Sequence, residues 1–212
     1  MSTRDRILDA ALALFNEQGT GAVSTNHIAA AIEISPGNLY YHFRNKEDII
    51  RALFERLFAK WDETFQLPPD RAPGLADFER LIASNYQLIW DYRFAYREMA
   101  ALLHNDPDLQ AHYQEVRQRG YAGFGELIEA FASAGVLTRP ETAQELMALT
   151  ELCWILSEQW PVNLELRGRA FDAAGIQEGI ALMRYIFRPY LTSERAGVHN
   201  DRYRPASTWK TP

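Results

Sequence analysis

ISPGNLYYHFRNKEDI, residues 34–49, crowds a Pro-Gly pair, two tyrosines and a histidine into a stretch too short for a free-standing helix. Ser35 can cap it, and Pro36, whose missing N–H costs nothing in the first turn, takes the first helical position. At about 100° per residue, Leu39 and Phe43 fall on one side with Pro36 beside them. Gly37, Asn38 and Tyr41 point the other way, flanked by Tyr40 and His42. Isolated helices below about 12 residues are marginal, so this one must be held by packing through Leu39 and Phe43, with Ile34 as a hydrophobic staple. What it is held for is its outer face. Glycine lets another backbone come close, Asn can pair with a base edge, and Tyr can reach a phosphate or a thymine methyl. The pattern is that of a helix that reads nucleic acid.

Helical punctuation continues on both sides of it. Thr3 is expected to cap a first helix that carries Ile7, Ala11, Leu14 and Phe15 on one face and stops at Gly19. Ser24 caps a second through Ile28 and Ala31, the turn Ile32-Glu33-Ile34 follows, and Asn45 opens a long fourth helix. Downstream, apolar residues at Phe78, Leu81, Ile82, Tyr86, Ile89 and Trp90 predict one helix from Gly74 to about Phe94. Asp106-Pro107 starts another, which stops at Ala134-Gly135-Val136, and residues 140–160 and 173–191 make two more. No strand pair is legible, so the fold class is all-α.

The stretch TNHIAAAIEISPGNLYYHFRNKED, residues 25–48, resembles the helix-turn-helix of the tetracycline-repressor (TetR) family, and the likeness runs from about Thr3 to Leu57. Its specific elements are Ile-Ala, a turn ending in an aliphatic residue and Ser, a small residue before Leu-Tyr, an aromatic-rich end, and Lys-Glu. The resemblance implies that Asn26 and Asn38 read bases, with Pro36 and Gly37 against the major groove. It makes Thr25, Tyr40, Tyr41, His42 and Lys46 contacts to the DNA backbone, Tyr41 also within reach of a base. The chain departs from the family in the turn, where Ile32-Glu33 replaces the usual Ala-Gly. A Glu adopts the left-handed conformation natural to Gly only at a cost of about 1 kcal/mol or more.

Composition limits what else the chain can be. Its 212 residues, 47% hydrophobic, can bury a substantial core. The single Cys153 allows no internal disulfide, the N-terminus MSTRDRILDA lacks a signal core, and no apolar run nears the ~20 residues of a membrane span; the cytosol is the expected compartment. A net charge of −6 argues against indiscriminate binding to nucleic acid. Between Ala22 and Lys46, Arg44 and Lys46 against Glu33 leave one net positive charge, so affinity should rest on two domains binding together.

Residues 1–50 read as the DNA-binding domain, 51–191 as a helical ligand-binding and dimerisation domain, and 192–212 as a polar tail. In the TetR family such a second domain dimerises and usually holds a small-molecule inducer, which implies a homodimer, an operator partner and an apolar or aromatic effector. Two helices wide in apolar residues fit that expectation: one with Leu146, Leu149, Leu152, Trp154, Ile155 and Leu156, the other with Ile176, Ile180, Leu182, Met183, Ile186 and Phe187. Helices apolar on two sides are buried on two sides, and a four-helix contact between two subunits would do this. Tyr86, Trp90, Phe94, Tyr121 and Trp154 are the candidate effector contacts. Gly120, Gly123 and Gly125 inside one helix predict close backbone approach or a bend.

No enzyme is expected, and no cofactor. His27, His42, His104, His112 and His199 show no metal-ligand spacing, and there is neither a nucleophile elbow nor a phosphate-cradling glycine loop. Two competing readings stand: a helical hydrolase using His104 with Asp106 or Asp108, and a helical adaptor, which would leave the outer face of residues 37–42 without a purpose.

Overall fold

The computed structural model describes residues 1–192. These residues form nine α-helices and no strand: α1 Thr3–Gln18, α2 Thr25–Ala31, α3 Pro36–His42, α4 Lys46–Thr64, α5 Leu75–Asp91, α6 Arg93–Asn105, α7 Pro107–Ser133, α8 Ala143–Leu166 and α9 Ala173–Phe187, with a 3₁₀ turn at Arg188–Tyr190. No helix among them is long and apolar enough to cross a membrane. The expected tail lies outside the described residues apart from Thr192, whose N–H and hydroxyl bond to the carbonyls of Val136 and Gly135.

The chain divides into two compact units. The first holds Met1–Glu63 with Asp91–Gln114, and the second holds Thr64–Trp90 with the chain from Glu115 onward. In the first unit, α1 is capped by Ser2 and not by Thr3: the Ser2 hydroxyl accepts from the Asp5 N–H, and the Asp5 carboxylate accepts from the Ser2 N–H. A one-residue shift in such a cap is invisible in sequence, because Ser and Thr cap about equally well. Ile7, Leu8, Ala11 and Phe15 of α1 are buried, as are Ile28 and Ala29 of α2, Leu39 of α3, and Leu53, Phe54 and Leu57 of α4.

The single helix expected over residues 74–94 is two helices, broken at Tyr92. The cause sits 75 residues away. Asn16, buried on α1, donates from its carboxamide to the Asp91 carbonyl at 2.7 Å and accepts from the Phe94 N–H at 3.0 Å. It supplies bonds that the backbone forgoes at the break. Conversely, α8 does not stop before Pro161 but runs on to Leu166. A mid-helix proline costs about 3 kcal/mol, here offset by the burial of Trp160, Pro161 and Leu164. The helix ends at Gly168 (φ 69°), where the N–H groups of Gly168 and Arg169 close onto Glu165 and Leu164.

In the second unit, Phe78 meets Phe131 and Phe187 edge-on, and α8 packs along α9. Gly179 permits that approach: a Cβ there would lie 2.2 Å from the Tyr86 ring and 2.8 Å from Trp160. Ile180 and Met183, expected at a subunit contact, are 4% and 5% exposed and belong to the protomer's own core. The large apolar residues that α8 and α9 leave exposed are Met147, Leu152, Ile155, Leu166 and Tyr185. A count of apolar positions cannot divide a helix into its two sides, whereas packing does.

Asn16→Ala should lower stability by about 1 to 3 kcal/mol, because it leaves the Asp91 carbonyl and Phe94 N–H without a partner in a buried place. Chemical denaturation followed by circular dichroism measures this, and an unchanged midpoint would remove Asn16 from that role.

Candidate nucleic-acid interface

The site is built from two short helices and the turn between them. Ser24 caps α2 by accepting from the His27 N–H, while His27 Nδ1 accepts from the Ser24 N–H. After α2, Glu33 stands at φ 57°. The N–H of Ile34 reaches the Ala29 carbonyl at 3.0 Å and that of Glu33 reaches Ala30 at 3.2 Å. This is the Schellman closure usually made with glycine, so the Glu departure is absorbed with the turn intact. Arg6 on α1 fastens the turn by donating to the Ile32 carbonyl at 2.9 Å. Ser35 then caps α3, accepting from the Asn38 N–H, with Pro36 in the first turn.

The outer face of α3 carries the residues that helical periodicity puts there. Gly37, Asn38 and Tyr41 are exposed, Tyr41 at 86%, while Leu39 is fully buried. Pro36 is exposed as well, and does not share the inward side with Leu39 and Phe43. Asn26 is exposed on the first turn of α2. Tyr41 and His42 meet edge to face at 5.2 Å.

Beside this face lies an open cleft of about 340 Å³, between residues 21–25 on one side and Tyr40 with residues 44–46 on the other. The Tyr40 and Thr25 hydroxyls are 3.0 Å apart, and Lys46 Nζ donates to the Thr20 carbonyl at 2.7 Å. An ammonium has three N–H donors, so Lys46 is anchored with two to spare. The Thr20 N–H and hydroxyl in turn donate to the Glu98 carboxylate of α6. With Arg44 lining the same cleft, two cations and two hydroxyls face a space suited to an anionic oxygen group. Thr25, Tyr40 and Lys46 are thus brought together. Sequence reading did not assign Arg44, Thr20 or Glu98, and Glu98 lies 78 residues from Thr20 with no local signal linking them.

Comparison with known proteins places this geometry. A profile described as "Bacterial transcriptional repressor" matches residues 56–197, and one for "Bacterial regulatory proteins, tetR family" matches residues 7–53. The chain belongs to the TetR family. A crystal structure of a TetR-family transcriptional regulator from Marinobacter aquaeolei is similar over 97% of this chain and all of that one, with 36% identity and a TM-score of 0.85. Among curated TetR-type regulators, the chain is 38% identical to QacR of Staphylococcus aureus over 66 residues and 41% identical to UidR of Escherichia coli over 68. These matches cover 31% and 30% of this chain, and only 35% of either relative's length.

Of the five aromatic residues expected to share an effector site, Tyr121 and Trp154 are neighbours, and the other three each have ring or side-chain partners outside the set. Phe94 belongs to the first unit, fully buried against Phe15 and Phe54. Tyr86 packs in the second unit against Gly179 and Trp160; Trp90 lies 5.7 Å from Phe171; Tyr121 stacks on Trp154 at 4.8 Å. Trp61 is also in the first unit, with its indole N–H donated to the Tyr96 hydroxyl at 3.1 Å. Among the described residues, no group of His, Cys, Asp and Glu could hold a metal; His199 lies outside them. Asp106 accepts from Arg51 and from the Leu109 N–H, so it serves as a helix cap, and a TetR-family chain is a DNA-binding protein, not a hydrolase.

Glu33→Gly should raise stability by about 1 kcal/mol through relief of the positive φ, seen as a higher thermal midpoint with operator affinity retained. Asn38→Ala should weaken binding to the preferred operator by about 1 to 3 kcal/mol per half-site and barely touch unrelated DNA. Lys46→Ala should weaken both and flatten the salt dependence by about one unit of slope for each phosphate it no longer neutralises. Equal losses on both DNAs for Asn38→Ala would strike it from the base readers.

Proposed function

We propose that this chain is a sequence-specific operator-binding repressor that works as a homodimer and releases DNA when a small apolar or aromatic molecule binds its second unit. The observation that carries the reading is the outer face of α3: Gly37, Asn38 and Tyr41 stand exposed on a helix anchored by Leu39. No packing need is served by an exposed Asn and Tyr there. Thr25, Tyr40, Arg44 and Lys46, converging on one cleft, provide for a neighbouring phosphate, and His42 stands against Tyr41 on α3.

One such unit commands little charge against a chain of net −6, so tight binding needs two at once, spaced by the ~34 Å repeat of the major groove. Exposed Met147, Leu152 and Ile155 on α8 and Tyr185 on α9 supply the surface for a second copy. Family membership supports the effector, as does Tyr86, a fully buried phenol whose hydroxyl has no hydrogen-bond partner among the described residues. A buried unpaired hydroxyl costs about 1 to 3 kcal/mol, a penalty that an incoming acceptor would remove.

Selection of retained genomic fragments, followed by titration of the enriched site, tests DNA binding; absence of any preferred sequence would end the reading. Ile155→Glu and Leu152→Glu should give monomers by light scattering at micromolar concentration and weaken operator binding far more than binding to random DNA. Tyr86→Phe should raise the stability of the empty protein by about 1 kcal/mol, measured as a shift in denaturation midpoint.

A further inference from the structure

Three residues of α7 and three of α8 form a cluster that the DNA-binding reading does not use. Arg117, Gly120 and Tyr121 share one face of α7, at the spacing of one helical turn; Glu151, Trp154 and Glu158 share one face of α8. The Arg117 guanidinium donates twice to Glu158, at 2.8 and 3.0 Å, once to Glu151 at 3.4 Å and once to the Tyr121 hydroxyl at 3.0 Å. It also lies over two aromatic faces, 5.3 Å from the centre of the Tyr121 ring and 5.7 Å from that of Trp154. The Tyr121 hydroxyl itself donates to Glu151.

Gly120 explains how the rings are presented. A Cβ at that position would stand 2.5 Å from Trp154 Cη2, so the indole lies directly on the α7 backbone and any larger residue would push it away. Of the three glycines in α7, this is the one that close approach requires: nothing lies near a Cβ at Gly123, and Gly125 makes an ordinary 3.7 Å contact with Leu146. The backbone has given up a side chain to lay down an aromatic wall between two carboxylates. Aromatic faces joined to carboxylates are the chemistry that recognises an organic cation. The side chains remain reachable from solvent, Arg117 at 27% exposure, Glu158 at 16% and Glu151 at 50%.

We propose that Tyr121, Trp154, Glu151 and Glu158 form a binding site for a small organic cation, with the Arg117 guanidinium as its resident occupant, which an incoming cation displaces. Arg117 is tethered to α7, so a free ligand competes with a group held at high local concentration. A quaternary ammonium has an advantage against it, since it gives up no hydrogen bonds to water on entering the aromatic wall. The proposal rests on the reading of the second unit as the effector-binding body, and adds a cationic class of ligand to the apolar or aromatic one that reading names.

Isothermal calorimetry with tetraethylammonium, and with uncharged 3,3-dimethylbutan-1-ol as the control, decides it. Arg117→Met should bind the cation at least tenfold more tightly than the unmodified protein and should ignore the alcohol. Adding Trp154→Leu, or Glu158→Gln, to the Arg117→Met protein should abolish the gain. Equal binding by the Arg117→Met and unmodified proteins, equal binding of the alcohol, or a gain that survives Trp154→Leu would each overturn the proposal. Should Arg117→Met not fold, as judged by its helical circular dichroism, the unmodified protein at millimolar cation decides instead. The Trp154 indole N–H resonance should shift there, and its constancy would overturn the site. Operator affinity measured on the same samples separates this proposal from the functional reading: loss of all operator binding in the unmodified, cation-free protein would refute the repressor while the calorimetry still judged the site.

Discussion

A single buried carboxamide sets the course of the chain. Asn16 gives its N–H to the Asp91 carbonyl and takes the Phe94 N–H on its oxygen. It thereby stands in for helical bonds where α5 would otherwise run into α6. Arg97 adds a donor to the Asn16 carbonyl itself, and Thr20 meets Glu98 one turn further along α6. The end of α1 and the start of α6 are thus joined by side-chain-to-backbone bonds, and Phe94 fills the space between Phe15 and Phe54. Because this joint lies in the compact unit that also carries α2 and α3, α3 rests on more than its own three-helix neighbourhood.

Local signals are legible in the sequence, and long-range ones are not. Ser24, Ser35 and Pro36 fix the starts of α2 and α3, and Gly135 the end of α7, because each acts on backbone within four residues of itself. The break at Tyr92 escapes sequence reading because its cause is on α1. The run of α8 through Pro161 escapes it because burial of Leu164, a tertiary fact, outweighs a local penalty. Glu33 is recognisable in sequence as a strained position; that the turn keeps its Schellman bonds regardless can be learned only from the backbone.

The same division runs through the site. Exposure of Gly37, Asn38 and Tyr41 follows from periodicity once Leu39 is anchored, so the face of α3 is readable without coordinates. The tie of Lys46 to the Thr20 carbonyl is not, and it changes what Lys46 is. A free surface lysine loses side-chain entropy of up to about 2 kcal/mol on gripping a phosphate, whereas one already anchored has met part of that cost in folding. The expected aromatic set is the converse case. Composition shows aromatic residues in abundance, but aromatic side chains serve cores as readily as ligands, and only packing tells Phe94 in the first unit from the Tyr121–Trp154 pair in the second.

Under the proposed control of DNA binding, a signal can travel along the chain where it goes from one unit to the other. A ligand changes operator affinity only by favouring one arrangement of the DNA-binding unit over another. The chain changes units at the end of α4, at the α5–α6 break and within α7 after Gln114. Among these passages α7 is a continuous helix with residues in both units. At the α5–α6 break, the residues that receive any displacement are Asn16, Thr20 and Glu98, and Thr20 already holds Lys46. Movement of α6 by even an ångström would lengthen the Glu98–Thr20 bonds, whose strength falls steeply with distance and angle, and would reach Lys46 in the cleft through one intervening residue. On this geometry α6 reaches Lys46, the first residue of α4, through Thr20, so the α1–α6 joint and α4 itself meet at one side chain of the cleft.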